Sequence, residues 1–276
     1  MIPSEDSADN GVARRNPAIS HEGIVMKRRV ATAGAALCVA AMLAGTVPAA
    51  ANAAPSAIEE LAALNPGTTT TELSRDLAQY AKSKNISVSQ ATNEVLAEAR
   101  SSQLSANSAK LSASKDAGLS LNSSSGSGST VVLGSAARRG DIFISPASTL
   151  FVEHGHTGIY YTTSVVVEAP GGDKLSRAVA TSTYRVGSGS IKQYISATTT
   201  QRESAANLAY GSLRGKEYNF NFAFNRNAYG TKMNCSQLVW AAYLRTTGLD
   251  LDGNGGTGVY PYNIRDHSRT VTYQTL

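Results

Sequence analysis

The sequence predicts an α+β fold for its second half, residues 131 to 276. Short runs rich in β-branched and aromatic residues alternate with Gly, Pro and Ser between residues 130 and 197, a pattern typical of antiparallel strands. Two longer stretches, residues 200 to 214 and 234 to 247, have the apolar spacing and the length of helices. Because this region has the usual size of one domain, we expect one antiparallel sheet packed on the second helix.

The strand predictions follow the apolar runs from one turn signal to the next. Each run is bounded by Gly, Pro or Ser, the residues that most often interrupt regular structure. The predicted strands are residues 131 to 134, 140 to 145, 156 to 163, 164 to 169, 178 to 186 and 190 to 197.

Residues 1 to 53 have the features of a signal peptide. Three basic residues follow Met26, small apolar residues occupy 30 to 47, and the segment ends in Ala-Asn-Ala, a small-x-small cleavage pattern. We expect cleavage after Ala53, with Met26 as the alternative start because the residues before it are polar. A retained membrane anchor is the other interpretation of the apolar stretch. Cleavage predicts a secreted protein, with cell-wall association as a further expectation.

Residues 54 to 105 predict a short helical segment, and residues 106 to 130 predict a Ser/Gly-rich flexible linker. In the helical segment, Thr69 and Glu72 have the spacing of a capping box, and apolar residues follow at helical spacing. So few helices enclose little core of their own. We therefore expect the segment either to dock on the following domain or to remain mobile.

Charge and cysteine content narrow the function classes. The net charge is +5 and no basic block is present, which argues against a nucleic-acid partner. Of the two cysteines, Cys38 lies in the predicted signal peptide, so the mature chain keeps Cys235 alone. A single thiol in an exported protein is either buried and inert, joined to another chain, or retained for its reactivity.

Cys235 stands at the predicted start of a helix. Asn234 is a favourable N-cap, Gln237 occupies the third helical position, and Gly248 is a predicted stop. The unpaired N–H groups and the positive dipole end at a helix start favour a thiolate over a thiol. The sequence therefore favours a nucleophilic cysteine, with a buried inert cysteine as the alternative.

Two histidines and a glutamate form a second candidate group. With a turn near residues 162 to 164, we expect His156 to lie opposite Glu168 or its neighbour, so that the carboxylate orients the imidazole. His154 would pair near Pro170, where no carboxylate is available. We therefore assign His156 as the base and His154 to the substrate rim, while a purely structural histidine remains the alternative.

Four motifs, GDIFI, GHTGIY, VVVEAP and NCSQLVWAAY, resemble those of the NlpC-type bacterial cysteine peptidases and amidases, which have a papain-like fold. Their order, with the histidine before the cysteine, resembles the circularly permuted branch that includes relatives of lecithin retinol acyltransferase. The resemblance covers residues 140 to 276. It implies Cys235 as nucleophile, His156 as base and Glu168 as the third polar group, a position where many unpermuted members carry histidine.

The expected function is that of a secreted thiol hydrolase that cleaves amide bonds in cell-wall peptides without a cofactor. The oxyanion donors would be the Cys235 backbone N–H and a tyrosine, with Tyr218 favoured over Tyr229. Within the same class, the alternative is an acyltransferase or lipid amidase. Two alternatives of other classes remain: an inactive structural module and a zinc site. The zinc ligands would be His154, His156 and Cys235 with Glu168 or Glu153.

Overall fold

The computed structural model describes residues 55 to 116, 129 to 149 and 152 to 276. The predicted signal peptide, including Cys38, lies outside these ranges, and so do residues 117 to 128 of the predicted linker. None of the helices in the described ranges combines the length and the apolar character that a membrane crossing needs.

The helical segment consists of α1 (Ala57–Leu64), α2 (Thr70–Lys84) and α3 (Val88–Asp116). The capping box predicted at Thr69 and Glu72 begins α2, with both reciprocal hydrogen bonds formed. The apolar faces of the three helices share a small core with Ala223 of the following domain. The segment therefore docks on that domain, the first of the two arrangements expected from the sequence.

The linker prediction is wrong for residues 106 to 116, because α3 continues through them. Ala106 is buried in the main core, and Ala109 packs against the same core. Ser and Asn are modest helix formers, so composition alone predicted a flexible chain here. Burial against the second domain stabilises the helix despite that composition.

The described part of the second domain contains ten strands, two longer α-helices and one short α-helix. The strands are β1 (Thr130–Val132), β2 (Ile142–Ser145), β3 (Ser148–Thr149), β4 (Val152–Glu153), β5 (His156–Thr162), β6 (Val165–Glu168), β7 (Arg177–Ala180), β8 (Arg185–Gly187), β9 (Ile191–Ile195) and β10 (Thr270–Thr275). The two helices are α4 (Thr199–Ser212) and α5 (Cys235–Thr247). A short helix, α6 (Pro261–Asp266), precedes β10.

The main sheet has six antiparallel strands in the order β10-β9-β2-β5-β6-β7. This confirms the α+β class and the antiparallel sheet. The single strand predicted over 178 to 186 is wrong: it is divided by a turn after Ala180, and its second half, β8, pairs with β1 outside the main sheet. The sequence also did not predict α6 or β10.

Both faces of the main sheet are covered. Ile142, Ile144 and Ile159 face a core shared with α4 and α5, whereas Phe143 and Tyr160 face a smaller core under β1 and β8. The alternation of neighbouring residues between the two faces is the period-2 pattern of a strand. The sheet is therefore a central layer that fixes α5 relative to the ends of its strands.

The register between β5 and β6 corrects the sequence prediction. Glu168 pairs with Gly158 rather than with His156, and Thr162 pairs with Val165 across the turn, with a bulge between Tyr160 and Thr162. The turn itself lies where the sequence placed it, but a turn there puts position 168 opposite 158. His156 is thus a diagonal neighbour of Glu168, a separation that long side chains can span.

Gly158 leaves the space through which this diagonal contact passes. A Cβ atom at Gly158 would lie 2.8 Å from the Phe143 ring, 2.8 Å from the Val167 carbonyl oxygen and 3.4 Å from the Glu168 Cβ atom. Since the Val167 oxygen belongs to the backbone ladder, it cannot move aside without disturbing the β5–β6 pairing. A side chain at position 158 would therefore strain the sheet beside His156.

We predict that Gly158→Ala lowers the free energy of unfolding by about 1–3 kcal/mol, the usual cost of overpacking. The matched control is Gly211→Ala in α4, where a Cβ atom meets nothing within 4 Å and the better helix propensity stabilises by up to about 1 kcal/mol. Chemical denaturation of both variants measures the difference. Equal effects of the two substitutions would contradict this account of Gly158.

Candidate active site

Cys235 is the first residue of α5 and is buried as a free thiol. The predicted capping box is present: the Asn234 side chain accepts from the Gln237 N–H at 2.9 Å, and the Gln237 side chain accepts from the Asn234 N–H at 3.4 Å. The helix ends at Gly248, whose φ of 72° is left-handed, as a helix stop requires. The sulfur therefore lies at the positive end of a well-formed helix.

A buried polar network fixes the start of α5 in place. The Asn225 side chain donates to the Asn234 Oδ1 at 3.2 Å and to the Val259 carbonyl at 2.8 Å, and it accepts from the Val259 N–H at 2.6 Å. The Ser236 hydroxyl donates to the same Val259 carbonyl at 2.7 Å. Because these groups are buried and bonded to one another, with only the Nδ2 of Asn234 lacking a partner, the backbone around Cys235 is rigidly held.

His156, the first residue of β5, carries the imidazole of the site. Its Nε2 lies 2.8 Å from Glu168 Oε2, and its ring packs 5.6 Å from the Phe143 ring. Burial alone would lower the pKa of His156, but hydrogen-bonding interactions with Cys235 and Glu168 outweigh burial and raise the pKa to about 10. The side chain keeps 15% exposure while Cys235 keeps none, so the site meets solvent at the histidine.

Glu168 is completely buried and has three side-chain partners. Besides His156, Tyr184 donates its hydroxyl to Oε2 at 2.5 Å, and Arg177 donates its Nε to Oε1 at 2.9 Å. The Nη2 of Arg177 forms an ion pair with the same oxygen at 2.9 Å. Burial would raise the pKa of Glu168, but the bonds from His156, Tyr184 and Arg177 lower it to about 2. The carboxylate is therefore charged at neutral pH and holds the imidazole by one of its oxygens.

Sequence reasoning missed Arg177 and Tyr184. Arg177 pairs directly with Glu168 across β6 and β7, so the correct boundary of β7 would have indicated an opposite-charge cross-strand pair. Tyr184 lies in the turn before β8, and its hydroxyl is also 3.3 Å from His156 Nε2. No local sequence signal points to this tyrosine, because its position depends on how β8 leaves the main sheet.

The two tyrosines considered as oxyanion donors are placed very differently. Tyr218 is buried beside Cys235. Burial, with Cys235 as a second cause, raises the pKa of Tyr218 well above its ordinary range, so the phenol keeps its proton. Tyr229 is 74% exposed and packs against Arg245 instead.

His154 does not continue the strand that carries His156. Gly155 between them has a φ of 74°, which interrupts the extended chain between β4 and β5. His154 therefore lies outside β5, which begins at His156, and the pairing predicted for it near Pro170 does not form. The His154 ring packs 5.0 Å from Phe222, and its Nδ1 donates to the Gly155 carbonyl at 2.6 Å. Burial lowers the pKa of His154, so it is a partly buried neutral neighbour of the site.

The residues considered for zinc do not form a ligand set. Within the described ranges, no group of three or more His, Cys, Asp or Glu side chains is arranged to hold a metal ion. Glu153 forms an ion pair with Lys110, and both oxygens of Glu168 already have partners. The geometry therefore adds nothing in favour of the zinc interpretation.

Comparison with known proteins gives two similarities, while no family model matches the chain. In a solved structure, the crystal structure of metalloprotein yiiX from Escherichia coli O157:H7, the matched region covers 50% of this chain and 97% of that one. The identity there is 14% and the TM-score is 0.38, and a likeness this weak supports no argument.

The second similarity is much stronger. The uncharacterized protein YycO of Bacillus subtilis is 34% identical to this chain over 220 residues. The match covers 79% of this chain and 86% of YycO, so it extends well beyond a local motif. The chain belongs to the same protein family as YycO.

Proposed function

We propose that the protein is a thiol hydrolase that cleaves amide bonds through Cys235, His156 and Glu168. The observation that carries this proposal is the contact of a helix-start cysteine with an imidazole that a buried carboxylate holds at 2.8 Å. A nucleophile that contacts a base, and a base that contacts an orienting group, are the components of nucleophilic acyl transfer.

The protonation states support an activated nucleophile. With a pKa near 10, His156 is an imidazolium at neutral pH, and its positive charge is stabilised by both Cys235 and Glu168. Glu168 remains a carboxylate, so the imidazolium is balanced by a fixed negative charge. The site therefore places an imidazolium beside the sulfur of Cys235 before substrate binds.

The proposed reaction has two halves. The Cys235 thiolate attacks the carbonyl carbon of the amide, and the C–N bond breaks as His156 gives its proton to the leaving amine. His156, now neutral, then takes a proton from water as the water attacks the thioester, and the carboxylic acid product leaves with the thiolate restored. In both halves the carbonyl oxygen becomes negative and accepts from the Cys235 N–H and the Tyr218 hydroxyl.

A permuted papain-like domain of the NlpC type is the fold assignment that accompanies this proposal. The support is the order of the elements: the histidine strand β5 and the glutamate strand β6 precede the cysteine helix α5 in the chain, as the resemblance in sequence implies. With the signal peptide expected from residues 1 to 53, the proposed location is outside the cell or at its wall. The proposed substrates are therefore peptides of the cell wall.

We predict that Cys235→Ala abolishes release of amines from isolated cell-wall peptides, because no other thiol is present in residues 54 to 276. The free energy of unfolding should change by no more than about 2 kcal/mol, the range for a small buried deletion. Mass spectrometry of the products identifies the bond cleaved, and added glycine shows whether the acyl group goes to water or to an amine. Retained activity in the variant, or a bound metal whose removal abolishes activity, would reject the thiol mechanism.

The two histidines are predicted to differ. His156→Gln should slow amide hydrolysis by about 10²–10⁴-fold, the usual contribution of general acid–base catalysis. It should also slow alkylation of Cys235 by iodoacetamide at neutral pH, because the thiolate loses its cationic partner. His154→Gln is the size-matched control and should keep most of both rates. The reverse result would show that the wrong histidine has been assigned.

A further prediction concerns pH and Glu168. Lowering the pKa of Glu168 from its usual 4.5 to about 2 contributes stability that is present above pH 4.5 and lost as the pH falls through about 2. Raising the pKa of His156 from 6.5 to about 10 contributes stability that is present below pH 6.5 and lost as the pH rises towards 10. Both contributions are therefore complete between about pH 4.5 and 6.5.

Accordingly, Glu168→Gln should lower the free energy of unfolding most in this window, by on the order of 3 kcal/mol. The difference from wild type should shrink towards pH 2, where the wild-type carboxylate also becomes neutral. Denaturant titrations at several pH values measure it. A difference that stays constant from pH 6 to pH 2 would show that the charge of Glu168 does not stabilise the site.

A further inference from the structure

The segment that carries Tyr218 has little regular structure of its own. Between α4 and α5 the chain forms a short 3₁₀ helix at Phe222–Phe224, and Tyr218 lies just before it, packed against Phe220 and Phe222. A hydrogen-bond donor to an oxyanion must be held within a fraction of an ångström to be effective. The contacts that hold this segment therefore matter for the proposed reaction.

A completely buried amide of the helical segment bonds to the backbone of this loop. Asn65, which follows α1, accepts from the Ala223 N–H at 3.0 Å and donates to the Leu61 carbonyl at 2.8 Å. Both sides of the amide are thus used, one inside the helical segment and one in the loop. Without Asn65, the buried N–H of Ala223 would lose its partner, which is costly in an apolar environment.

A second polar contact joins α2 to the same loop. Asn221 donates its Nδ2 to Asp76 Oδ2 at 2.9 Å, while its Oδ1 accepts from the Phe224 N–H at 3.1 Å and so caps the 3₁₀ helix. Beside it, Gly67 lies so close to Phe220 that a Cβ atom there would be 2.7 Å from the ring. The helical segment therefore holds the loop both by hydrogen bonds and by close apolar packing.

A second loop and the short strand β4 also bond to α3 near the site. Glu98 accepts from the Thr257 N–H at 2.9 Å and from the Gly258 N–H at 3.2 Å, just before the Val259 that bonds to Ser236 of α5. Lys110 forms its ion pair with Glu153, next to His154. The helical segment thus contacts two loops and the short strand β4, rather than one incidental patch.

We propose that the helical segment, α1 to α3, is a positioning device for the active site, and that Asn65, Asp76 and Asn221 are positioning residues that hold Tyr218 against the developing oxyanion. This inference rests on the proposed hydrolase function. It assigns the segment a role within the catalytic unit, distinct from targeting or inhibition.

An exchange of side chains tests the Asp76–Asn221 contact. Asn221→Asp keeps the acceptor that caps the 3₁₀ helix but loses the donor and sets two carboxylates face to face. Combining Asn221→Asp with Asp76→Asn restores a hydrogen bond with donor and acceptor exchanged. Arg100→Ala is the control, because it removes the Arg100–Glu60 ion pair, a polar contact that lies wholly within the helical segment.

Two measurements are made on the full-length protein. In Asn221→Asp and in Asn65→Ala, hydrogen exchange of residues 218 to 224 should accelerate, while exchange of β5 should stay unchanged. In the control Arg100→Ala, exchange of residues 218 to 224 should also stay unchanged. The rate of acylation by 4-nitrophenyl acetate should fall about tenfold in Asn221→Asp and in Asn65→Ala. It should recover when Asn221→Asp is combined with Asp76→Asn. In a Tyr218→Phe background, Asn221→Asp should cause no further loss, because the group it positions is already absent.

The outcomes separate this inference from the function on which it rests. If wild type releases nitrophenolate no faster than Cys235→Ser, the hydrolase proposal fails and the positioning role falls with it. If wild type is active, the positioning role alone is overturned by any one of three results: unchanged exchange of the loop, an acylation rate equal to that of Arg100→Ala, or an equal loss in the Tyr218→Phe background.

Discussion

The buried carboxylate of Glu168 is the group on which the rest of the site depends. Its two oxygens have different partners: Oε2 accepts hydrogen bonds from His156 and Tyr184, and Oε1 accepts one from Arg177. A completely buried charge is costly unless it is neutralised and hydrogen-bonded, and here the arginine and the imidazolium together supply both. The carboxylate therefore orients the histidine only because Arg177, which is half-exposed on the edge strand β7, completes its coordination.

The proposed catalytic groups meet at the end of a sheet whose two faces have different roles. His156 shares a face with Phe143 and Tyr184, whereas α5 packs on the opposite face. The imidazole interacts with Cys235 because His156 is the first residue of its strand, where the chain no longer separates the two layers. Such a site requires a helix start and a strand end that are each held rigidly, which the network around Asn225 and the close packing at Gly158 provide.

The helical segment shows how a weakly structured sequence becomes ordered through tertiary contacts. Its own core is small and includes a residue of the second domain, Ala223. In return, Asn65 and Glu98 satisfy backbone N–H groups of two loops that contain no strand or α-helix of their own. Each part therefore supplies hydrogen-bond partners and apolar surface that the other part lacks. The helical segment and the second domain therefore stabilise each other.

The amino-acid sequence by itself determined the local features: the α+β class, the helix start at Cys235 with its capping box, and the turn after β5. These features depend on residues that are close together in the sequence, and so the sequence alone predicts them. Only the tertiary structure decided the register that opposes Glu168 to Gly158, the recruitment of Arg177 and Tyr184, and the extension of α3 through a linker-like composition. These features depend on packing between residues distant in sequence, whose energies no local pattern encodes.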